Sequence, residues 1–155
     1  NILTKKIGSD FRLFFHKQGF VQKLHKIYKF NKKYKLNFVL VYPNIRCSTR
    51  IMYSKIKRYS PKSNFDHKNI NNKRKFLKLI MRKNNDLQGI VEKNYPKIKK
   101  LIEEIGQFKG CYFSRLTGSG SVCYGVFKTE KAAKNALRKV RLKHPKYWSS
   151  FAKTI

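Results

Sequence analysis

Ser114-Arg115-Leu116-Thr117-Gly118-Ser119-Gly120-Ser121-Val122-Cys123-Tyr124-Gly125-Val126-Phe127 carries the strongest fold signal in the chain. Gly110 to Leu116 and Val122 to Phe127 are apolar and aromatic runs that predict two strands, with Thr117-Gly118-Ser119-Gly120 as the turn between them. Glycines at alternate positions let backbone N–H groups approach an anion, and the hydroxyls add donors. The same residues also serve as a plain tight link between strands. The loop is neither a Walker loop nor a dinucleotide fingerprint, because the Lys-Ser/Thr ending and the third glycine are missing.

Downstream, Thr129 caps an amphipathic helix with Ala133, Ala136, Leu137 and Val140 on one face. Pro145 ends it, and Trp148 to Ile155 reads as a last strand. Upstream, Asn94 and Pro96 supply a cap and a first-turn proline for a helix that turns Ile98, Leu101, Ile102 and Ile105 inward, with Gly106 as its stop. Asn85 caps a shorter helix carrying Leu87, Ile90 and Val91 at i, i+3 and i+4. Phe76 to Ile80 is an ordered apolar stretch, whereas residues 57–74 form a variable basic loop. Leu36 to Tyr42 is a strand stopped by Pro43, and Ser48 caps a short helix bearing Ile51, Met52 and Ile56. Residues 1–35 begin as a helical scrap to Gly8, turn at Gly8-Ser9-Asp10, and run extended from Phe20 to Leu24 before a Lys-rich solvated edge or loop. Helices alternate with hairpin-like strand pairs, so the expected class is an α+β sandwich rather than a doubly wound sheet.

The chain has 155 residues, 41% of them hydrophobic and 14% aromatic, which excludes wholesale disorder. Its 38 Lys and Arg face 7 Asp and Glu, a formal charge of +31, so non-specific nucleic-acid binding that weakens with salt is expected. Two readings account for the charge: a polyanion footprint, or drift toward the Lys, Asn, Ile, Tyr and Phe that A/T-rich codons specify. Cys47, Cys111 and Cys123 lack CxxC spacing and read as reduced thiols in a cytoplasmic protein. His16, His25, His67 and His144 are scattered, so nothing reads as a zinc site. No apolar run reaches membrane-spanning length. Asn1-Ile2-Leu3-Thr4 has no start Met and no signal-peptide pattern, and reads as a cut end.

Ser114 to Gly120 resembles the C-terminal glycine-rich motif of the GHMP kinases, in the wording of their diphosphocytidyl-methylerythritol branch. Further likenesses follow in family order. Gly8-Ser9-Asp10 resembles a Gly-Ala-Asp-Val-Pro segment, with Phe11-Arg12 where Val-Pro is usual. Val39-Leu40-Val41-Tyr42-Pro43 with Ser48, Thr49 and Tyr53 resembles a strand-Pro-helix segment. Asn85-Asp86-Leu87 resembles a helix start, and Thr129 to Val140 the closing helix. The resemblance implies a ferredoxin-like α/β sandwich with an antiparallel sheet over residues 36–155, preceded in residues 1–35 by the tail of an N-terminal nucleotide-binding domain.

It also implies chemistry: transfer of phosphate from ATP, with Mg²⁺, to a hydroxyl of a cytidine-diphosphate-linked methylerythritol in non-mevalonate isoprenoid precursor synthesis. Asp10 would be the catalytic base or orienter, paired with a Lys. Tyr53 would pack on the cytosine ring with Thr49 nearby, and Gly118, Ser119 and Gly120 would border the cleft. On the residues alone, Asp10 is a turn or cap residue, and Thr49 and Tyr53 are helix packing. The family's phosphate loop and the Lys partner are absent from these residues, so the isolated chain is expected to be inactive. It reads as a fragment, as one half of a split enzyme with a separately encoded N-terminal half, or as a decayed remnant. The rival is an inactive, highly basic polyanion-binding form of the same fold, supported by the acid-free run from Phe11 to Phe65 and by Lys interleaved with aromatics around Tyr28, Phe30 and Tyr34.

Overall fold

The computed structural model describes residues 15, 18–23, 26–30, 32–61 and 70–154. At its centre lies a four-stranded antiparallel sheet, β3 (Asn37–Tyr42), β4 (Cys111–Leu116), β5 (Cys123–Phe127) and β6 (Trp148–Lys153), in the order β4-β5-β3-β6. The expected α+β sandwich is what forms. Strand alternation splits its side chains between two cores. Val39, Val41, Cys123 and Phe127 face one side, where they meet α4 (Pro96–Gln107) and α5 (Glu130–Lys143) through Ile98, Leu101, Ile105, Ala133 and Val140. Phe38, Tyr124 and Val126 face the other, against Phe76 and Leu77 of α2 (Lys73–Arg82) and against Tyr34 and Leu36. A register shift between Cys111 and Phe113 brings Tyr112 and Phe113 to this second cluster together.

The caps act as the sequence predicts at two helices. Ser48 Oγ accepts from the Ile51 N–H at the start of α1 (Thr49–Ser54), and Thr129 Oγ1 accepts from the Ala132 N–H at 3.1 Å. Asn85 caps from slightly further out: its Oδ1 accepts the Leu87 N–H at 3.0 Å and its carbonyl accepts the Gln88 N–H, one turn ahead of α3 (Gln88–Asn94). Asn94 does not cap α4. Its side chain turns back onto α3, donating to the Ile90 carbonyl at 2.7 Å and accepting from Lys55 Nζ, while Pro96 alone opens α4. Nor does Gly106 stop α4, which runs on to Gln107. A Cβ at Gly106 would lie 2.8 Å from Ser114 Oγ, and one at Gly125 would lie 2.5 Å from Ile105 Cγ2. Both glycines let α4 sit low across β4 and β5.

The Lys-rich segment before Lys35 is more ordered than a solvated loop. β1 (Gly19–Lys23) pairs antiparallel with β2 (Lys26–Lys29). Tyr34 is buried and stacks on Phe76, with ring centres 4.9 Å apart. Gln18 clamps it, its amide donating to the Tyr34 carbonyl at 2.7 Å and accepting the Tyr34 N–H at 2.8 Å. Lysine density masked aromatic residues that pack. Phe76 to Ile80, undecided in the sequence, lies within α2, whose Asn72 cap accepts from the Lys75 N–H.

All three cysteines are free thiols; burial pushes Cys123 up to about 12 and Cys111 up to about 11. Among the described residues, no helix is long and apolar enough to cross a membrane.

Candidate substrate-binding cleft

The turn between β4 and β5 is built to hold an awkward backbone. Gly118 has φ +54° and Gly120 φ +92°, values that side-chain-bearing residues rarely adopt. The Val122 carbonyl accepts the Thr117 N–H at 2.9 Å, and the Thr117 carbonyl accepts the Gly120 N–H at 3.1 Å. Gly120 rests against Cys47 and Leu116, where a Cβ would come within 3.2 Å of the Cys47 sulfur. Ser121 donates to the Ile45 carbonyl and anchors the loop's far end.

Two neighbouring segments hold the loop in place. From one side, Thr49 Oγ1 at the head of α1 shares a 2.8 Å hydrogen bond with Ser119 Oγ. From the other, the Asn85 amide donates to the carbonyls of Gly118 at 2.8 Å and Leu116 at 3.2 Å. Asn85 thus ties the loop to the start of α3 while its own oxygen caps the turn there. Gln88 adds a further tie, accepting the Leu116 N–H at 3.1 Å.

Between these ties opens a cavity of about 490 Å³, within the range of small-molecule sites. Tyr53, Tyr59, Asn85, Asp86, Gly118 and Tyr124 contribute to its wall, and among the described residues no Lys or Arg does. Asp86 is held by Ser60, whose N–H donates to it at 3.1 Å and whose hydroxyl also donates. A second cavity, about 340 Å³, shares Asn84, Asn85, Leu116 and Tyr124 with the first and continues toward Phe20, Phe30 and Phe76. Arg115 lines this inner part. Its guanidinium donates to the Ile80 and Met81 carbonyls at 2.7 and 2.6 Å, which caps the end of α2, and it stacks over Phe113 at 4.6 Å. Burial raises the Tyr124 phenol above its usual pKa, with the neighbouring Arg115 pulling the other way.

Of the residues singled out from sequence, Tyr53 and Gly118 line the cavity, and Thr49 and Ser119 are bonded to each other at its edge. Gly120 supports the loop from the Cys47 side rather than facing the cavity. Asp10 lies outside the described residues. Asn85 and Asp86 were legible as a cap and as part of the Asn85-Asp86-Leu87 helix start, but neither was assigned to the site. Tyr59 carried no signal, because it falls in the Lys- and Asn-rich stretch.

The antiparallel sheet and the glycine loop braced by two helix starts define the class. The chain belongs to the GHMP kinase family: the family model described as GHMP kinases C terminal matches residues 63–146. Within it, the chain is similar to 4-diphosphocytidyl-2-C-methyl-D-erythritol kinase of Pelagibacter ubique (strain HTCC1062), 31% identical over 129 residues, which is 83% of this chain and 45% of the relative. A crystal structure of 4-(cytidine 5'-diphospho)-2C-methyl-D-erythritol kinase superposes with a TM-score of 0.73 at 18% identity, over 97% of this chain and 55% of that one. Homoserine kinase from Cytophaga hutchinsonii shares the fold at a TM-score of 0.58 and 12% identity, over 84% of this chain and 44% of that one. The chain therefore spans about half, or less, of the length of the proteins it matches.

Proposed function

We propose that this chain supplies the acceptor-binding half of a cytoplasmic, ATP-dependent kinase that phosphorylates a hydroxyl of 4-diphosphocytidyl-2-C-methyl-D-erythritol on the way to isoprenoid precursors. The observation that carries the reading is the meeting of Thr49 with Ser119 across 70 residues of sequence, beside a cavity lined by Tyr53 and Gly118. The wall suits the uncharged parts of such a substrate. Tyr53 and Tyr59 offer ring faces to a pyrimidine, and Asn84 and Thr117 offer polar edges to a base or polyol. Among the described residues no cation stands in this wall, so in this reading the diphosphate falls to the loop. The Thr117 and Gly120 N–H groups close the turn, which leaves those of Gly118 and Ser119 for an anion.

Phosphoryl transfer needs positioning and charge stabilisation more than covalent chemistry. In this reading Asp10 orients or deprotonates the acceptor hydroxyl, and its Lys partner and the ATP loop come from a matching N-terminal half, on the same chain or a separate one. Among the described residues no three His, Cys, Asp or Glu side chains cluster, and Asp86, the one carboxylate in the cavity wall, is engaged by Ser60; no step here is derived through Mg²⁺.

The test is reconstitution. The chain alone should give no turnover, and joining it to the N-terminal half of the Pelagibacter relative should restore ATP-dependent phosphorylation of the cytidine-diphosphate-linked alcohol but not of homoserine. A reconstituted protein that folds and phosphorylates homoserine in preference would overturn the acceptor assignment.

A further inference from the structure

At the opposite end of the β4–β5 hairpin from the glycine loop lies a groove of about 600 Å³. Its floor is apolar, made by Phe108, Ala132 and Ala136, and its rim carries Lys109, Lys128, Lys131, Arg138 and Lys139 without one acidic residue. We infer that this groove is a docking site for single-stranded nucleic acid, with a base seated on the Phe108 floor and the phosphates along the basic rim.

Three observations favour this occupant. The first is charge. None of the five rim cations is paired with a carboxylate among the described residues. Glu130 instead holds Lys134 at 2.6 Å and Lys153 at 3.7 Å, while Glu104 holds Lys143 at 3.0 Å. The carboxylates near α5 are thus committed to cations outside the groove. The second is spacing. Lys131 to Lys139 are eight residues apart on α5, about 12 Å along the helix, a row long enough for about three stacked nucleotide steps rather than one phosphate. The third is the floor. Phe108, partly buried against the core and flanked by alanines, keeps part of its ring in the groove with Lys139 Nζ 6.0 Å from its centre, the pairing of aromatic and cation on which bases stack. The rim also differs from the main cavity at the glycine-loop end, whose wall has no Lys or Arg among the described residues.

The proposal uses none of the residues of the kinase reading and stands or falls separately. It is tested on the whole chain by fluorescence anisotropy with a short labelled oligothymidylate. The variant Lys109→Glu/Lys131→Glu/Lys139→Glu is compared with Lys75→Glu/Lys97→Glu/Lys100→Glu, which removes the same charge from exposed positions on α2 and α4. The groove variant should bind about tenfold more weakly than the control variant at moderate salt, with a log–log salt slope shallower by about 2 than wild type. Phe108→Leu keeps the bulk of the floor and loses the ring, so it should weaken binding about fivefold without changing the salt slope. Equal losses in the two triple variants, an unchanged affinity in Phe108→Leu, or tighter binding of a polyglutamate peptide than of the oligonucleotide would each overturn the proposal.

Discussion

The two ends of the β4–β5 hairpin are about 17–20 Å apart along the strands, yet they differ sharply in chemistry. The glycine-loop end is walled by tyrosines, amides and one aspartate, with no cation in its main cavity among the described residues. The other end gathers around a phenylalanine five cations that have no carboxylate partner among the described residues. A chain carrying 38 Lys and Arg could have filled both ends with charge. Among the described residues the main cavity at the loop end takes none of it, while Lys83 and Arg115 line the cavity beside it. The loop-end wall is made by helix starts and a strand turn whose side chains are held by Ser60, Thr49 and Asn85. The groove end is the outer face of α5, whose Glu130 is taken up by Lys134 and Lys153.

The strongest way to break the comparison is to remove function from one end alone. In the chain joined to the N-terminal half of the Pelagibacter relative, the proposed role of Asp10 predicts that Asp10→Asn lowers the chemical step by about 10²–10⁴-fold, the scale of a positioned acid–base group, and leaves oligonucleotide binding unchanged. The groove variant Lys109→Glu/Lys131→Glu/Lys139→Glu should do the reverse. Single-turnover kinetics and anisotropy on both variants would show whether the ends are separable.

Gly125→Ala should instead damage both ends, since it lies in the strand that joins them. Its new methyl would meet Ile105 Cγ2 at 2.5 Å and a Phe127 ring carbon at 2.9 Å, an overpacking worth about 1–3 kcal/mol in urea unfolding. Asn85→Ala should be milder and one-sided. It removes the donor to two carbonyls and the acceptor for the Leu87 N–H, for a loss of about 1–2 kcal/mol, and should loosen the glycine loop without touching groove affinity.

The smallest effect is acid sensitivity beneath the groove helix. Burial alone would raise the Glu104 carboxyl, but hydrogen bonds from His144 and Lys143 outweigh it and hold the pKa below the ordinary 4.5. A depressed folded-state pKa means the contribution is present above about pH 4.5 and lost as pH falls through the lower folded value. Glu104→Gln should therefore flatten the stability profile in that window by under about 1 kcal/mol, seen in thermal melts at stepped pH.

Much of this architecture could be read in the sequence, for reasons that differ by element. α4 and α5 announce themselves because Ile98, Leu101, Ile102 and Ile105, and Ala133, Ala136, Leu137 and Val140, each recur on one face. The glycine loop is legible because its glycines sit where the backbone needs positive φ. Gly106 looked the same on paper but serves close packing, and only the neighbour across the sheet distinguishes the two uses. β2 was hidden because its lysines read as solvated, while the packing of Tyr34 depends on Gln18 and Phe76, far away in sequence. The cleft was legible at Thr49, Tyr53 and the loop, where a family wording exists. Asp86 and Arg115 also stand in such wordings, but their ties to Ser60 and to the end of α2 arise from tertiary placement, as does the position of Tyr59. The segregation of charge was invisible, since a string of residues shows how many lysines there are but not which carboxylates reach them.

The position of β3 has a consequence for how the protein is made. This central strand is hydrogen-bonded on one side to residues 123–127 and on the other to residues 148–153, both translated long after it. Leu36 and Tyr34 are stitched in later still, through Thr154, whose hydroxyl accepts the Leu36 N–H at 2.9 Å and donates to the Tyr34 carbonyl at 2.8 Å. On the ribosome, Val39 and Val41 must therefore wait beside two open edges while about a hundred residues emerge, and such long-range pairing is slow to form and exposed to aggregation meanwhile. The lysines crowding residues 26–35 immediately before this strand would keep nascent chains apart during that interval.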